Sequence, residues 1–267
     1  MSQLIFLGTA GSTAVINKFM RFSGGIIIQT QGLQLHLDPG PGAVNQARAL
    51  GINVHHTSAI LVSHNHLNHC NDLNILVEAM THSGIEHRGI IMGSKSVLQE
   101  TPENRPYLTR YHQSLVEKII PLEKDHKIAI ENIEIHSLSV EHTDPHAVGF
   151  KIITPRFVIS YPGDTIMTEQ LVQELMGTDI LILNVPYPGK TAKGMNLDTD
   201  AAIKIVNAVK PKLTIMTHFG LEMIKADPLF EAREVQRITG VTTVAVKDGL
   251  TIVPEALGNK APVKGFN

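Results

Sequence analysis

The chain has 267 residues, 43% hydrophobic and 18% charged, with a formal net charge of −2. That length can bury a substantial core and the composition excludes wholesale disorder; the near-neutral charge gives no global basic footprint, so no DNA partner is expected, although a local basic groove stays open. The single cysteine, Cys70, excludes an internal disulfide and suits a reducing compartment.

Residues 1–15 show neither a basic leader nor a long apolar segment, and no apolar run approaches a bilayer span, so a cytoplasmic location away from membranes is expected. Strand-length runs of Ile, Val and Leu, bounded by Gly, Pro, Asn or Asp, follow at 4–7, 25–29, 33–37, 59–62 and 89–92. Between the last two, Leu73, Leu76, Val77 and Met80 make the stripe of a helix over 71–82. Residues 101–124 are less regular. There Tyr107, Leu108, Tyr111, Leu115 and Ile119 have the spacing of an amphipathic helix, which could be a lid, a dimer contact or a core helix.

Further strands are predicted at 128–130, 133–138, 148–153, 157–160, 180–184, 213–216 and 242–245. Helices are predicted at 168–176 and at 198–210, the latter closed by Pro211, with a weaker one at 230–238. Runs 241–246 and 249–253, separated by Lys247-Asp248 with Gly249 next, predict a closing hairpin. Each half reads as a strand meander followed by helices, with no linker of low complexity between them. The expected fold is α+β: a four-layer αββα sandwich of two mostly antiparallel or mixed sheets flanked by helices, one domain over 1–267.

The densest chemistry lies in Ser63-His64-Asn65-His66-Leu67-Asn68-His69-Cys70-Asn71-Asp72, directly after an apolar run. Clustered imidazoles near carboxylates are how proteins hold zinc, manganese or iron. With 14 histidines in the chain, chance clustering in a solvated loop is the plain alternative. Against it, Asp38, His142, Asp164 and His218 each follow another strand-like run, where scaffolds present ligands. Spacing alone does not choose between His142 and His146.

These motifs together resemble the metallo-β-lactamase superfamily, an αββα fold carrying the pattern His-x-His-x-Asp-His. Leu7-Gly8-Thr9-Ala10-Gly11-Ser12, Thr217-His218-Phe219 and Val246-Lys247-Asp248-Gly249-Leu250 are most similar to its ribonuclease Z-like phosphodiesterase branch. The resemblance implies that His64, His66 and His142 hold one metal, and that His69, Asp164 and His218 hold a second, with Asp164 bridging. It makes Asp38 an outer support that orders the ligand loop through hydrogen bonds. The implied cofactor is one or two divalent ions, zinc foremost, with manganese or iron as alternatives.

The implied reaction is hydrolysis of a phosphodiester, in RNA or a smaller phosphate ester, by a hydroxide bridging two cations roughly 3.5–4 Å apart. A thioester or lactone hydrolase on the same core is the enzymatic alternative, and a catalytically silent metal-binding protein is the other. The resemblance also suggests a homodimer. The short run between Asp164 and His218 leaves little room for a separate exosite arm, and no nuclease insert domain is expected.

Two residues depart from the family pattern. Asn68 stands at the aspartate position; an amide oxygen can coordinate but carries no charge and cannot act as a base. The second site is therefore expected to bind more weakly, to prefer another metal or to stand empty. Asp72 stands where glycine is usual. If the helix over 71–82 starts near Asn68, Asp72 lies one turn further on the same face and could restore the missing charge; a first-turn acid facing the helix dipole is the simpler role. Asp164, Asn68 and Asp72 are thus the catalytic candidates. Thr143 and His146, after a ligand, and Lys18 and Arg21, after the first strand, are candidates for substrate contact, with plain turn and loop roles as the alternatives.

Overall fold

In the computed structural model, which describes residues 2–102 and 104–257, the chain forms two seven-stranded mixed sheets with helices outside them. The first sheet contains β1 (Gln3–Phe6), β2 (Ile26–Thr30), β3 (Leu33–Leu37), β4 (Ala59–Val62), β5 (Ile90–Ser94) and β6 (Lys118–Leu122). The second contains β7 (Lys127–Ile130), β8 (Ile133–Ser139), β9 (Val148–Ile153), β10 (Val158–Tyr161), β11 (Ile180–Asn184), β12 (Leu213–Thr217) and β13 (Thr243–Ala245). The last strand, β14 (Thr251–Ile252), returns to the first sheet beside β1. Neighbours in each sheet otherwise follow chain order.

Each sheet changes character halfway. Strands β1 to β3 pair antiparallel and β3 to β6 parallel. Strands β7 to β10 pair antiparallel and β10 to β13 parallel. The parallel strands read as unbroken apolar runs because they are covered on both faces. In β4, Ala59 and Leu61 face the layer between the sheets, while Ile60 and Val62 face the helix Leu73–Met80. In β11, Ile180 and Ile182 face inward, while Leu181 and Leu183 pack under the helix Thr199–Val209. Each fully buried Leu or Ile stabilises this arrangement by about 1.5–3 kcal/mol.

Helix ends follow local chemistry. The helix Glu169–Leu175 is capped by Thr168, whose side chain accepts from Leu171 N. The helix Thr199–Val209 is capped by Asp198 and ends at Lys210 in the left-handed region, just before Pro211.

Three expectations need correction. The predicted closing hairpin does not form: β13 pairs with β12 and β14 with β1, in different sheets. Lys247-Asp248-Gly249 is the crossing between sheets, held by Asp248 accepting from Thr9 Oγ1 and Phe22 N and by Gly249 N donating to Phe6 O. The helix expected over 71–82 spans Leu73–Met80, and a separate turn of helix, Leu67–Cys70, carries Asn68. Asp72 N donates to Pro39 O at this break, so Asn68 and Asp72 do not share one continuous helix. The amphipathic segment 107–119 holds only the short helix Arg110–Gln113, and Ile119 belongs to β6. Leu108 and Val116 pack into the core beneath the first sheet, and of the five stripe residues only Tyr111 is exposed. The expected domain span also includes Met1, Glu103 and residues 258–267, which lie outside the described residues.

Candidate metal centre

The candidate residues converge at the carboxyl ends of the parallel strands, where α/β sheets open a crevice. Asp38 follows β3, His64 follows β4, Asp164 follows β10 and His218 follows β12, while His142 comes from the loop after β8. Two of these positions are conformationally demanding: Asp38 and His218 have φ of 49° and 61°, in the left-handed region. The surroundings hold them there. Phe219 N donates to Thr9 O and Gly11 N to Phe219 O, closing the first sheet onto the His218 loop. A Cβ at Gly11 would lie 2.1 Å from His218 O, so only glycine allows that approach. Gly40 permits the same close packing against the Asn68 carbonyl.

Two groups of metal-competent side chains result: His64, His66, His142 and Asp164; and His69, Asp164 and His218. Asp164 belongs to both. Its Oδ2 lies 4.0 Å from His64 Nε2, 3.9 Å from His142 Nε2 and 3.4 Å from His69 Nε2. Asn184 Nδ2 donates to Asp164 Oδ1 at 2.6 Å and fixes the carboxylate plane.

In the first group, the outward ring nitrogens are committed. Ser63 Oγ gives its one proton to Asp38 Oδ2 at 2.7 Å, so it must accept from His64 Nδ1 at 2.9 Å. His142 Nδ1 donates to Met195 O at 2.8 Å. The inward nitrogens of His64 and His142 are then lone pairs. They face His66 Nδ1 at 3.0 and 3.2 Å. One proton on His66 cannot satisfy both. A zinc ion with ligands at about 2.0–2.1 Å sets nitrogen–nitrogen edges of about 3.3 Å, close to these separations. The residues fit a cation.

The second group fits less completely. His69 donates Nδ1–H to Asp38 Oδ2 at 2.9 Å and turns Nε2 to within 2.9 Å of His218 Nε2. His218 Nδ1 is buried and lies 3.3 Å from Asp164 Oδ1 but out of hydrogen-bond alignment, leaving it without a partner. A cavity of about 20 Å³ beside His69 and His218, also lined by Asn68, Asp38, Tyr161 and Asn184, is large enough for one water or small cation. Asn68, however, points its amide nitrogen at His218 Nε2, 3.0 Å away. To offer Oδ1 instead, the amide must make a half-turn.

Electrostatics separate the groups. Burial, reinforced by the neighbouring His69, holds His64 well below the usual imidazole range, and burial lowers His66 as well. Burial would also lower His69, but Asp164 and Asp38 outweigh it and push that ring up to about 10. Burial would raise Asp164, yet His218 and His69 hold it well below the usual carboxylate range. Burial pushes His218 down to about 4. The second group therefore holds one positive charge, on the protonated ring of His69, between two carboxylates.

Of the other predicted residues, Asp38 accepts from Ser63 N, Ser63 Oγ, His69 Nδ1 and Tyr161 Oη, tying both groups to one buried carboxylate. Thr143 is exposed, with Oγ1 3.2 Å from His66 Nε2. Arg21 donates to Thr9 Oγ1 and stacks over Phe219, the residue after His218. Lys18 is exposed. His146 donates its backbone N–H to Asp144. Asp72 joins neither group; its carboxylate accepts from Asn71 Nδ2.

Sequence reasoning missed Asn184, Tyr161 and the Met195 carbonyl as supports. Asn184 and Tyr161 sit at strand ends, a signal the same rule could have used, but neither is an acid or an imidazole. Asp144 is a further support. It is buried, accepts from Ser96 Oγ, Asn65 N and His146 N, and so anchors the His64–His66 loop to the loop carrying His142.

Paired sheets with two His/Asp groups sharing a carboxylate define a metallo-hydrolase fold. The beta-lactamase superfamily domain matches residues 34–219, more than half of the chain, and the protein belongs to that superfamily. It is 32% identical over 252 residues to the uncharacterised protein MJ1374 of Methanocaldococcus jannaschii, covering 94% of each chain. A ribonuclease Z from Clostridium botulinum is 28% identical over 157 residues, 54% of this chain and 48% of that one. Among solved structures, the metallo-beta-lactamase fold protein YhfI from Bacillus subtilis superposes with a TM-score of 0.79 at 16% identity, covering 94% of this chain and 98% of that one. A diphosphatase of the PhnP family gives 0.70 at 19% identity, covering 95% and 98%.

Proposed function

We propose that the protein is a divalent-metal-dependent hydrolase of phosphodiesters, in RNA or in a smaller phosphate ester. The observation that carries this reading is the pair of His/Asp groups meeting on Asp164 at the carboxyl ends of the strands. A similar ribonuclease Z and a similar diphosphatase support phosphorus rather than a carbonyl as the centre attacked. Zinc is the expected ion. When bound, it would lower the pKa of a coordinated water towards about 7 and draw charge from the phosphoryl oxygens.

This chain's own residues would do the rest. His64, His66, His142 and Asp164 would hold the first ion, and His69, Asp164 and His218 the second. Asp38, with Ser63 and Tyr161, would hold the ring tautomers. Arg21, fixed by Thr9 and stacked on Phe219, the residue after His218, would meet a phosphate oxygen. Thr143 is the polar group at the outer edge of His66. We take the unit to be one domain without an exosite arm: between Asp164 and His218 the described chain forms β11, β12 and two helices. Dimerisation is part of the proposal and rests on family resemblance.

A second reading follows from the Asn68 amide, which donates toward His218 where the family places a carboxylate. It holds that the protein binds one ion tightly and is catalytically silent. The two readings part on one assay. Hydrolysis of a generic phosphodiester under zinc, manganese or iron, lost in His64→Ala, supports the enzyme. Metal retention without hydrolysis supports the silent protein, and hydrolysis of a lactone or thioester alone overturns the substrate class.

A further inference from the structure

We propose that His55, His82 and Glu86 form a separate, peripheral site for a transition-metal dication such as zinc, nickel or copper. The three side chains offer ligand atoms that all lie within 4.8 Å of one another. His55 Nε2 is 3.1 Å from Glu86 Oε2, and His82 Nδ1 is 4.0 Å from Glu86 Oε1. The two imidazole rings meet edge to face with centroids 5.8 Å apart. Two imidazoles and a carboxylate are a borderline donor set, which favours these metals over magnesium or calcium.

The backbone under the cluster is prearranged. His55 lies in the tight turn Val54–His56 before β4. His82 and Glu86 lie in the turn between the helix Leu73–Met80 and β5. Thr81 Oγ1 donates to Val77 O and accepts from Gly84 N, and Glu86 N donates to Thr81 O. Ser83 N donates to Glu78 O. These bonds hold His82 and Ser83 at φ of 53° and 58°, and so fix where the His82 and Glu86 side chains start. The side chains themselves are 35%, 67% and 44% exposed for His55, His82 and Glu86, so closing around an ion asks only for rotamer adjustment.

An ion pair between His55 and Glu86 accounts for the 3.1 Å contact, whereas the 4.0 Å approach of His82 to the same carboxylate is long for a direct hydrogen bond. Arg88, whose guanidinium donates to the His55 carbonyl, adds positive charge nearby, and Glu86 offsets it. The set therefore offers an ion two imidazoles and one anionic ligand. It stands at the entry ends of β4 and β5, whereas the two groups around Asp164 stand at carboxyl ends, so occupation of one does not require the other. A bound ion would clamp the two turns that lead into neighbouring parallel strands.

The test is equilibrium dialysis of the full chain, His82→Ala and the double variant His55→Ala/Glu86→Gln against micromolar free zinc, followed by metal analysis. The protein is expected to retain one zinc equivalent more than either variant. Equal retention in the protein and either variant overturns the proposal; for His82→Ala, that result assigns the cluster to a simple His55–Glu86 pair. Because the substituted side chains are exposed, both variants should stay folded, and an unchanged circular dichroism spectrum checks this. As a readout that uses no variant, nickel added after the central groups have been filled with zinc should broaden the imidazole resonances of His55 and His82 together. Broadening of neither ring counts equally against the site.

Discussion

The two His/Asp groups share Asp164 and Asp38 but are built to different standards. Around His64 and His142, each outward ring nitrogen has a dedicated acceptor, and burial keeps His64 neutral. Around His69 and His218, one ring carries a proton between two carboxylates, one ring nitrogen has no partner, and Asn68 presents an N–H donor where a ligand oxygen is needed. Affinity for a metal depends on lone pairs already aimed and unprotonated. The first group meets that condition as it stands; the second must lose a proton and turn an amide. The difference predicts two ions of unequal affinity rather than a matched pair.

Removing a ligand should break this comparison most sharply. His64→Ala is expected to abolish tight metal retention and to lower any phosphodiesterase activity by more than about 100-fold, since losing even an outer-shell partner costs 10–100-fold. His218→Ala should spare the tight equivalent. Metal analysis after gel filtration reads both, and loss of the tight equivalent in His218→Ala instead would invert the ranking.

Acidity should separate the groups next. His69 must shed a proton held up to about 10 before it can ligate, so affinity for the weaker ion should rise about tenfold per pH unit from neutrality towards that value. The tight ion should respond far less over the same range, because burial lowers both His64 and His66. Calorimetric titration at pH 7 and pH 9 checks the slopes, and the weaker event should release a proton.

Asp38→Asn acts on both groups together. Its carboxylate accepts four hydrogen bonds, one of them from His69, and the amide replaces an acceptor with a donor. We expect a loss of about 3 kcal/mol in urea unfolding and about 10–100-fold weaker metal binding. Tyr161→Phe removes only the phenol that donates to Asp38 and accepts from Asn184. It should cost about 1–2 kcal/mol and shift both affinities by less than tenfold.

Much of this was legible in sequence for a physical reason. Parallel strands covered on both faces must be continuous apolar runs, and catalytic side chains gather where such runs end, so β3, β4, β10, β11 and β12 and the residues after them could be read locally. The errors fell where long-range contacts decide. Residues 241–253 have the spacing of a hairpin, but Thr9, Phe22, Phe6 and Met216, all distant in sequence, draw the two strands into different sheets. The stripe from Tyr107 to Ile119 has helical spacing, yet β5 pairs with Lys118–Leu122 and takes Ile119 into a strand. In the site, ligand types were visible and their supports were not: a backbone carbonyl such as Met195 O leaves no trace in a pattern of side chains, and the orientation of the Asn68 amide is a matter of its neighbours.

The most direct test of the unequal pair is a zinc titration of the chain and of Asn68→Asp, both carrying His82→Ala so that the peripheral cluster does not contribute. The expected result is one tight and one weaker equivalent for the parent, and two tight equivalents for Asn68→Asp, the second strengthened by about tenfold or more. An unchanged or weaker second equivalent in Asn68→Asp would contradict the account.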